Sequence, residues 1–133
     1  MTTPTQTEAA VLRDAIAVLR EARKLLECGW CQGALARNAE NEKVLLCDSS
    51  ACSWCVAGAL KAAAMALTGL GDRWVRLGAK DRAKWLLRSV IGLKSITQWN
   101  DDRERTQAEV LEAVDRAVEL GEQELAKLEG GER

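Results

Sequence analysis

The stretch 51-ACSWCVAGALKAAAMALTG-69 decides the fold of this chain. Alanine is the best helix former, and its lack of bulk lets neighbouring helices approach closely. The stretch therefore predicts a buried, central, Ala-rich helix. Asp48, Ser49 and Ser50 are alternative N-caps for it, and it stops near Gly69. Everything else is arranged around it.

Upstream, "TQTE" pairs Thr5 with Glu8 as a capping box after Pro4. Val11, Leu12, Ala15, Ile16, Leu19, Ala22 and Leu26 then recur at steps of three and four, one face of a helix that Gly29 ends. The next segment, "QGALARNAENEKVLLC", holds two short apolar runs around a turn-rich centre, which predicts a small β-hairpin excursion near residues 34–46. Downstream, a third helix is expected from Asp81 to Ile91, with Trp85, Leu86 and Ile91 apolar. Residues 95–105 read as a polar connection. Thr106 and Glu109 repeat the capping box and open a last helix with Val110, Leu111, Val114, Ala117, Val118 and Leu125 on its apolar face. The expected fold is mainly α, a single domain over residues 1–133, with about four helices.

Composition narrows the chemistry. The chain has no His, Tyr or Phe, and its aromatic residues are five Trp. Triads, Cys-His dyads and His-based zinc sites are excluded. "GLGDR" at 69–73 is too short to count as a phosphate loop. An enzyme is thus the last of the readings. No apolar run reaches membrane-span length and the first residues show no signal-peptide core, so the expected location is cytoplasmic.

The net charge is −1, which leaves no global footprint for nucleic acid. Charge is segregated all the same. Residues 72–94 carry seven bases and two acids; residues 95–133 carry eleven acids and five bases. Two readings stand: solvated faces that attract each other within the fold or between copies in a homo-oligomer, or a basic stretch that meets an anionic ligand.

Two four-residue words, "CGWC" (28–31) and "CSWC" (52–55), repeat one pattern. Cys28, Cys31, Cys52 and Cys55 have the spacing of a four-thiolate zinc ribbon, and soft thiolates suit zinc. The context differs from a ribbon, because the first pair ends a helix and the second sits in the first turns of another. At i and i+3 on a helix, Cys52 and Cys55 would share a face as buried thiols. A structural zinc, core thiols and redox chemistry all remain readings of the words.

The connection "QWNDDRERT" brings together Trp99, Asn100, Asp101, Arg105 and Thr106. Trp99 offers a face for stacking, Asn100 a donor and an acceptor, Asp101 an acceptor, and Arg105 a bidentate fork for an anion. With Trp30 and Arg37 they form a candidate site for a small polar or anionic ligand. The alternative makes them structural: Trp99 a core anchor, Asn100 and Asp101 bonded to local backbone, Thr106 a cap.

"GWCQGALARNAE" (29–40), "SWCVAGAL" (53–60) and "QWNDDRERTQAEVLEAVDRAVELG" (98–121) resemble a family of small uncharacterised proteins from actinobacteria, other bacteria and their phages, a domain of unknown function. The matching positions include Gly29, Trp30, Arg37, Cys55, Gly58, Trp99, Asn100, Asp101, Arg105 and Thr106. The family pattern supplies Cys55 but not the other cysteines, which sets zinc apart from the family's purpose. The resemblance implies no enzyme activity or cofactor. It implies an accessory role, such as modulating host systems, in the host cytoplasm where a phage encodes the protein. The mix of stacking, amide and guanidinium groups itself suits a nucleotide or nucleotide-derived signal, which such a product could sequester; a zinc-stabilised or charge-driven interaction module is the alternative.

Overall fold

The computed structural model describes residues 7–130. The expected Thr5 cap lies outside them, and Thr7 caps the first helix instead, its side chain accepting from the Ala10 amide at 3.1 Å. Helix α1 spans Glu8–Cys28 and buries Leu12, Ala15, Ile16, Leu19, Ala22 and Leu26, the stripe read from the sequence, together with Val18. A two-stranded antiparallel sheet follows, β1 (Ala36–Arg37) on β2 (Ser53–Trp54). Then come α2 (Val56–Ala66), α3 (Arg73–Val90), the short α4 (Ile96–Asn100) and α5 (Gln107–Gly130). The fold is mainly α with a small β element.

The Ala-rich helix is buried through Val56, Ala59, Leu60, Ala63 and Ala64. It is shorter than expected at both ends. Its N-cap is Cys55, whose sulfur accepts from the Gly58 amide at 3.3 Å, not Asp48, Ser49 or Ser50. Residues 53–54 are strand, so Cys52 and Cys55 do not share a helical face. The hub of the bundle is not the Ala-rich helix, as expected, but α1, whose apolar stripe is long enough to pack against α2, α3 and α5. Leu12, Leu19, Leu26, Leu60, Leu86 and Val110 meet in that core, each at most 1% exposed. Burying each contributes about 1.5–3 kcal/mol.

Helix α3 starts at Arg73 and not at the expected Asp81, because Asp72 supplies a cap: its carboxylate accepts from the Val75 amide at 3.0 Å. Trp85, read as apolar-face, stands on the exposed side of this helix. The polar connection contains α4, capped by Ser95. The second capping box forms as read. The Thr106 hydroxyl accepts from the Glu109 amide at 3.2 Å, and the Glu109 carboxylate accepts from the Thr106 amide at 3.0 Å.

In the expected hairpin, Val44 N–H donates to the Ala36 carbonyl and Arg37 bridges Lys43, but the ladder partner of Ala36–Arg37 is Ser53–Trp54, with Ala36 opposite Trp54. On the other edge of residues 52–55 lies the chain just after α1. The Cys31 amide donates to the Trp54 carbonyl, and the Trp54 amide to the Gly29 carbonyl, both at 3.1 Å. The two Cys-Trp words therefore run side by side. Gly29 is required there, since a Cβ on it would stand 2.2 Å from the Cys52 carbonyl oxygen. Gly58 has the same role against β1, where a Cβ would stand 2.1 Å from the Leu35 carbonyl oxygen.

The charged helices do not pair as a basic α3 against an acidic α5. The acids of α5 meet α1 instead: Arg13 with Glu129, Arg20 with Glu122 and Arg23 with Asp115. These pairs are exposed and each contributes about 0–1 kcal/mol. From the basic stretch, among the described residues, only Arg82 reaches α5, pairing with Glu124 at 3.3 Å and with Glu8 of α1 at 3.2 Å.

Candidate functional site

The residues expected to bind a ligand converge, but largely on each other. Asn100 ends α4 and is fully buried. Its Oδ1 accepts from the Trp30 indole at 2.8 Å and from the Val56 amide, the first of α2, at 3.0 Å. Its Nδ2 donates to the Cys31 carbonyl at 3.2 Å and to Asp101 Oδ1 at 2.9 Å. All the capacity of the amide on these two faces is in use. Asp101 Oδ1 also accepts from the Gly33 amide at 3.1 Å. Gln32, not among the residues expected to matter, donates to the Asn100 and Asp102 carbonyls at 2.9 and 2.7 Å. Arg37 donates to the Gln32 and Asn41 carbonyls and holds the loop before β1. Trp30, Arg37, Asn100 and Asp101 thus form one clip that ties the end of α1, the start of α2 and the end of α4.

Trp99, Arg105 and Thr106 lie on another side. The Arg105 guanidinium sits 4.0 Å from the Trp99 ring centroid, so one stacking face is already covered. Arg105 Nε donates to the Trp99 carbonyl at 3.0 Å, and the side chain is 17% exposed. Both residues border a hollow of about 260 Å³ with Glu109, Glu112 and Arg116. Thr106 is occupied as the cap of α5.

The cysteines divide into two kinds. Cys31 and Cys55 are buried; Cys28, Cys47 and Cys52 are exposed. Burial pushes the Cys31 and Cys55 thiols above their ordinary range and keeps them protonated. Among the described residues, no three Cys, Asp or Glu side chains are grouped so as to hold a metal ion. Although the two Cys-Trp words are adjacent, Cys55 turns inward to cap α2 while Cys52 faces solvent.

A different place has the chemistry expected of an anion site. Between α2 and α3 lies a pocket of about 500 Å³. It is lined by the apolar Leu46, Ala64, Met65 and Leu77 and by the basic Lys61, Arg73, Arg76 and Lys80. Among the described residues, no acidic side chain lines it. Arg76 is held in place by donating to the Met65 carbonyl at 3.1 Å, at the end of α2. Lys80 is 16% exposed, with Asp81 nearby at 3.8 Å. The sequence signal for this site was present in the basic stretch 72–94, but it needed the earlier start of α3 to become a face. Lys61, supplied by α2, carried no signal of its own.

The chain belongs to the family described as a family of unknown function (DUF6197), which matches residues 3–120. No curated protein and no solved structure matches it. Among the described residues, no helix is long and apolar enough to cross a membrane.

Proposed function

We propose that this protein is a non-enzymatic binding module that takes a small anionic ligand with an apolar or ring portion, of the nucleotide-derived kind, in the pocket between α2 and α3. One observation carries the reading: four cationic and four apolar side chains line one pocket, with no acid among the lining residues described. A phosphate or carboxylate would meet Arg73 and Lys80 while a ring lies over Met65 and Leu77. Sites of this size hold drug-sized ligands, fixed by a few charged groups over an apolar surface. The Trp30–Asn100 clip then serves the site at a distance, by seating α2 firmly at its first residue. The bacterial and phage setting that the resemblance implies fits a protein that holds a signal molecule away from its receptor.

Thermal unfolding with and without ADP and related nucleotides at millimolar concentration tests the proposal. A ligand at a hundred times its Kd stabilises the native state by about 2.7 kcal/mol, a shift of several degrees in Tm. Arg73→Glu together with Lys80→Glu should abolish that shift. The absence of any shift across mono-, di- and cyclic nucleotides would refute the reading.

A further inference from the structure

The basic face does not end with the pocket. On α3 it runs from Arg73, Arg76 and Lys80 to Lys84 and Arg88, which line a second hollow of about 340 Å³ with Ala57 and Ile96. Steps of three and four residues keep these five bases on one side of the helix, over about 22 Å of its axis. Across the furrow, α2 turns Ala57 to the second hollow and Lys61, one turn on, to the first. Among the described residues, neither hollow is lined by an acid. Among the same residues, Lys61, Arg73, Lys84 and Arg88 make no ion pair. The acids that could have neutralised them stand on α5, turned to the arginines of α1.

Beside this stripe lie two indoles, Trp74 with both faces open and Trp85 with the Arg82 guanidinium 5.3 Å from its ring centroid, which leaves one face for stacking. Trp74 is 78% exposed and Trp85 48%. They sit three turns apart on one edge of α3, about 16 Å along its axis. That edge is a convex helix surface. A protein partner gains most from aromatic anchors seated in pockets, whereas a nucleobase needs only a free ring face. A line of cations that follows a backbone, bordered by aromatic platforms, is how single strands are held without regard to sequence.

We infer that the α2–α3 furrow binds single-stranded nucleic acid, with phosphates along the Arg73–Arg88 stripe and bases stacked on Trp74 and Trp85. The inference rests on the anion-binding reading above and extends it from one ligand to a chain of them. The net charge of −1 does not oppose it, because attraction at this range is set by the local face and not by the total.

The test is a fluorescence titration of the full chain with dT12, with ADP and with poly-L-glutamate, at several salt concentrations. Binding of dT12 should quench tryptophan emission and be at least tenfold tighter than binding of ADP. Its log affinity should fall with log salt at a slope of about −3 to −4. Trp74→Ala should weaken dT12 at least fivefold, and Lys84→Glu with Arg88→Glu at least tenfold. If ADP binds and dT12 binds no tighter, the strand inference is overturned and the small-ligand reading stands. If neither binds, both fall. Tighter binding of poly-L-glutamate than of dT12, or a Trp74→Ala variant that binds dT12 unchanged, would assign the furrow to an acidic protein segment and overturn the inference.

Discussion

Replacing Asn100 with Ala should cost this protein a large share of its stability. The substitution deletes one small side chain, yet it strips a partner from four groups: the Trp30 indole N–H, the Val56 amide, the Cys31 carbonyl and Asp101 Oδ1, of which Asp101 keeps the Gly33 amide. Each buried polar group left unpaired costs about 1–3 kcal/mol. Water entering the small void at the margin would recover some of that for Trp30, which is only half-buried, but not for Val56, which is fully buried. A net loss of about 4 kcal/mol follows, against the roughly 5–15 kcal/mol of a typical domain. For a chain of this length that is a fall in Tm of about 15 °C. Urea unfolding followed by far-UV circular dichroism measures it, with Asp101→Ala as the milder comparison, since that residue is exposed. A loss below about 1 kcal/mol would show that the clip contributes little and that the reasoning about unpaired groups is wrong.

Two glycines, Gly58 of α2 and Gly78 of α3, should respond to alanine with opposite signs. Gly78→Ala, where a Cβ meets open space, should stabilise by about 0.5–1 kcal/mol, while Gly58→Ala, facing the Leu35 carbonyl, should destabilise by about 2 kcal/mol or more in the same urea assay. Buried Cys31 and Cys55 have raised thiol pKa values, so the stability they contribute is complete below the ordinary thiol value near 9.0 and is lost as pH rises through their folded values. Urea midpoints from pH 7 to 10.5 should show that alkaline decline, and it should flatten in the Cys31→Ala variant. In native protein, timed alkylation read by mass spectrometry should label Cys28, Cys47 and Cys52 well before the other two; simultaneous labelling of all five would contradict the burial pattern. A strong chelator should leave Tm unchanged, and a fall on chelation would restore zinc to the Cys-Trp words.

Much of the helical frame was legible because helices announce themselves within a single turn. The stripe from Leu12 to Leu26 and the Thr106–Glu109 box are local patterns, and both appear as read. What escaped were decisions made by distant neighbours. The residues before Cys55 have an Ala-rich continuation that reads as helix, but the backbone of Ser53–Trp54 is claimed by two segments, one from each side. Pairing between residues 36 and 54 has no sequence period to reveal it. The Cys spacing matched a zinc ribbon for the same reason: spacing reports reach along the chain, not which way each sulfur turns. At the connection 98–106, Asn100 and Asp101 join Trp30 while Trp99, Arg105 and Thr106 stand on another side, and the structural alternative accounts for their hydrogen bonds. The bases of 72–94, open to both an anion-binding and a solvated-face reading, become one face only because Asp72 caps the helix that aligns them.

The division of labour among the charged helices has one more effect. Three acids of α5 pair with arginines of α1 and one with Arg82, while no acid is among the residues lining the α2–α3 pocket, so charge is unevenly spread over the described residues. Such a body presents itself to a charged surface by orientation and not by average. Near neutral pH, above its isoelectric point of about 5.6, it should still be retained by a cation-exchange resin, leading with the side that carries Arg73 through Arg88.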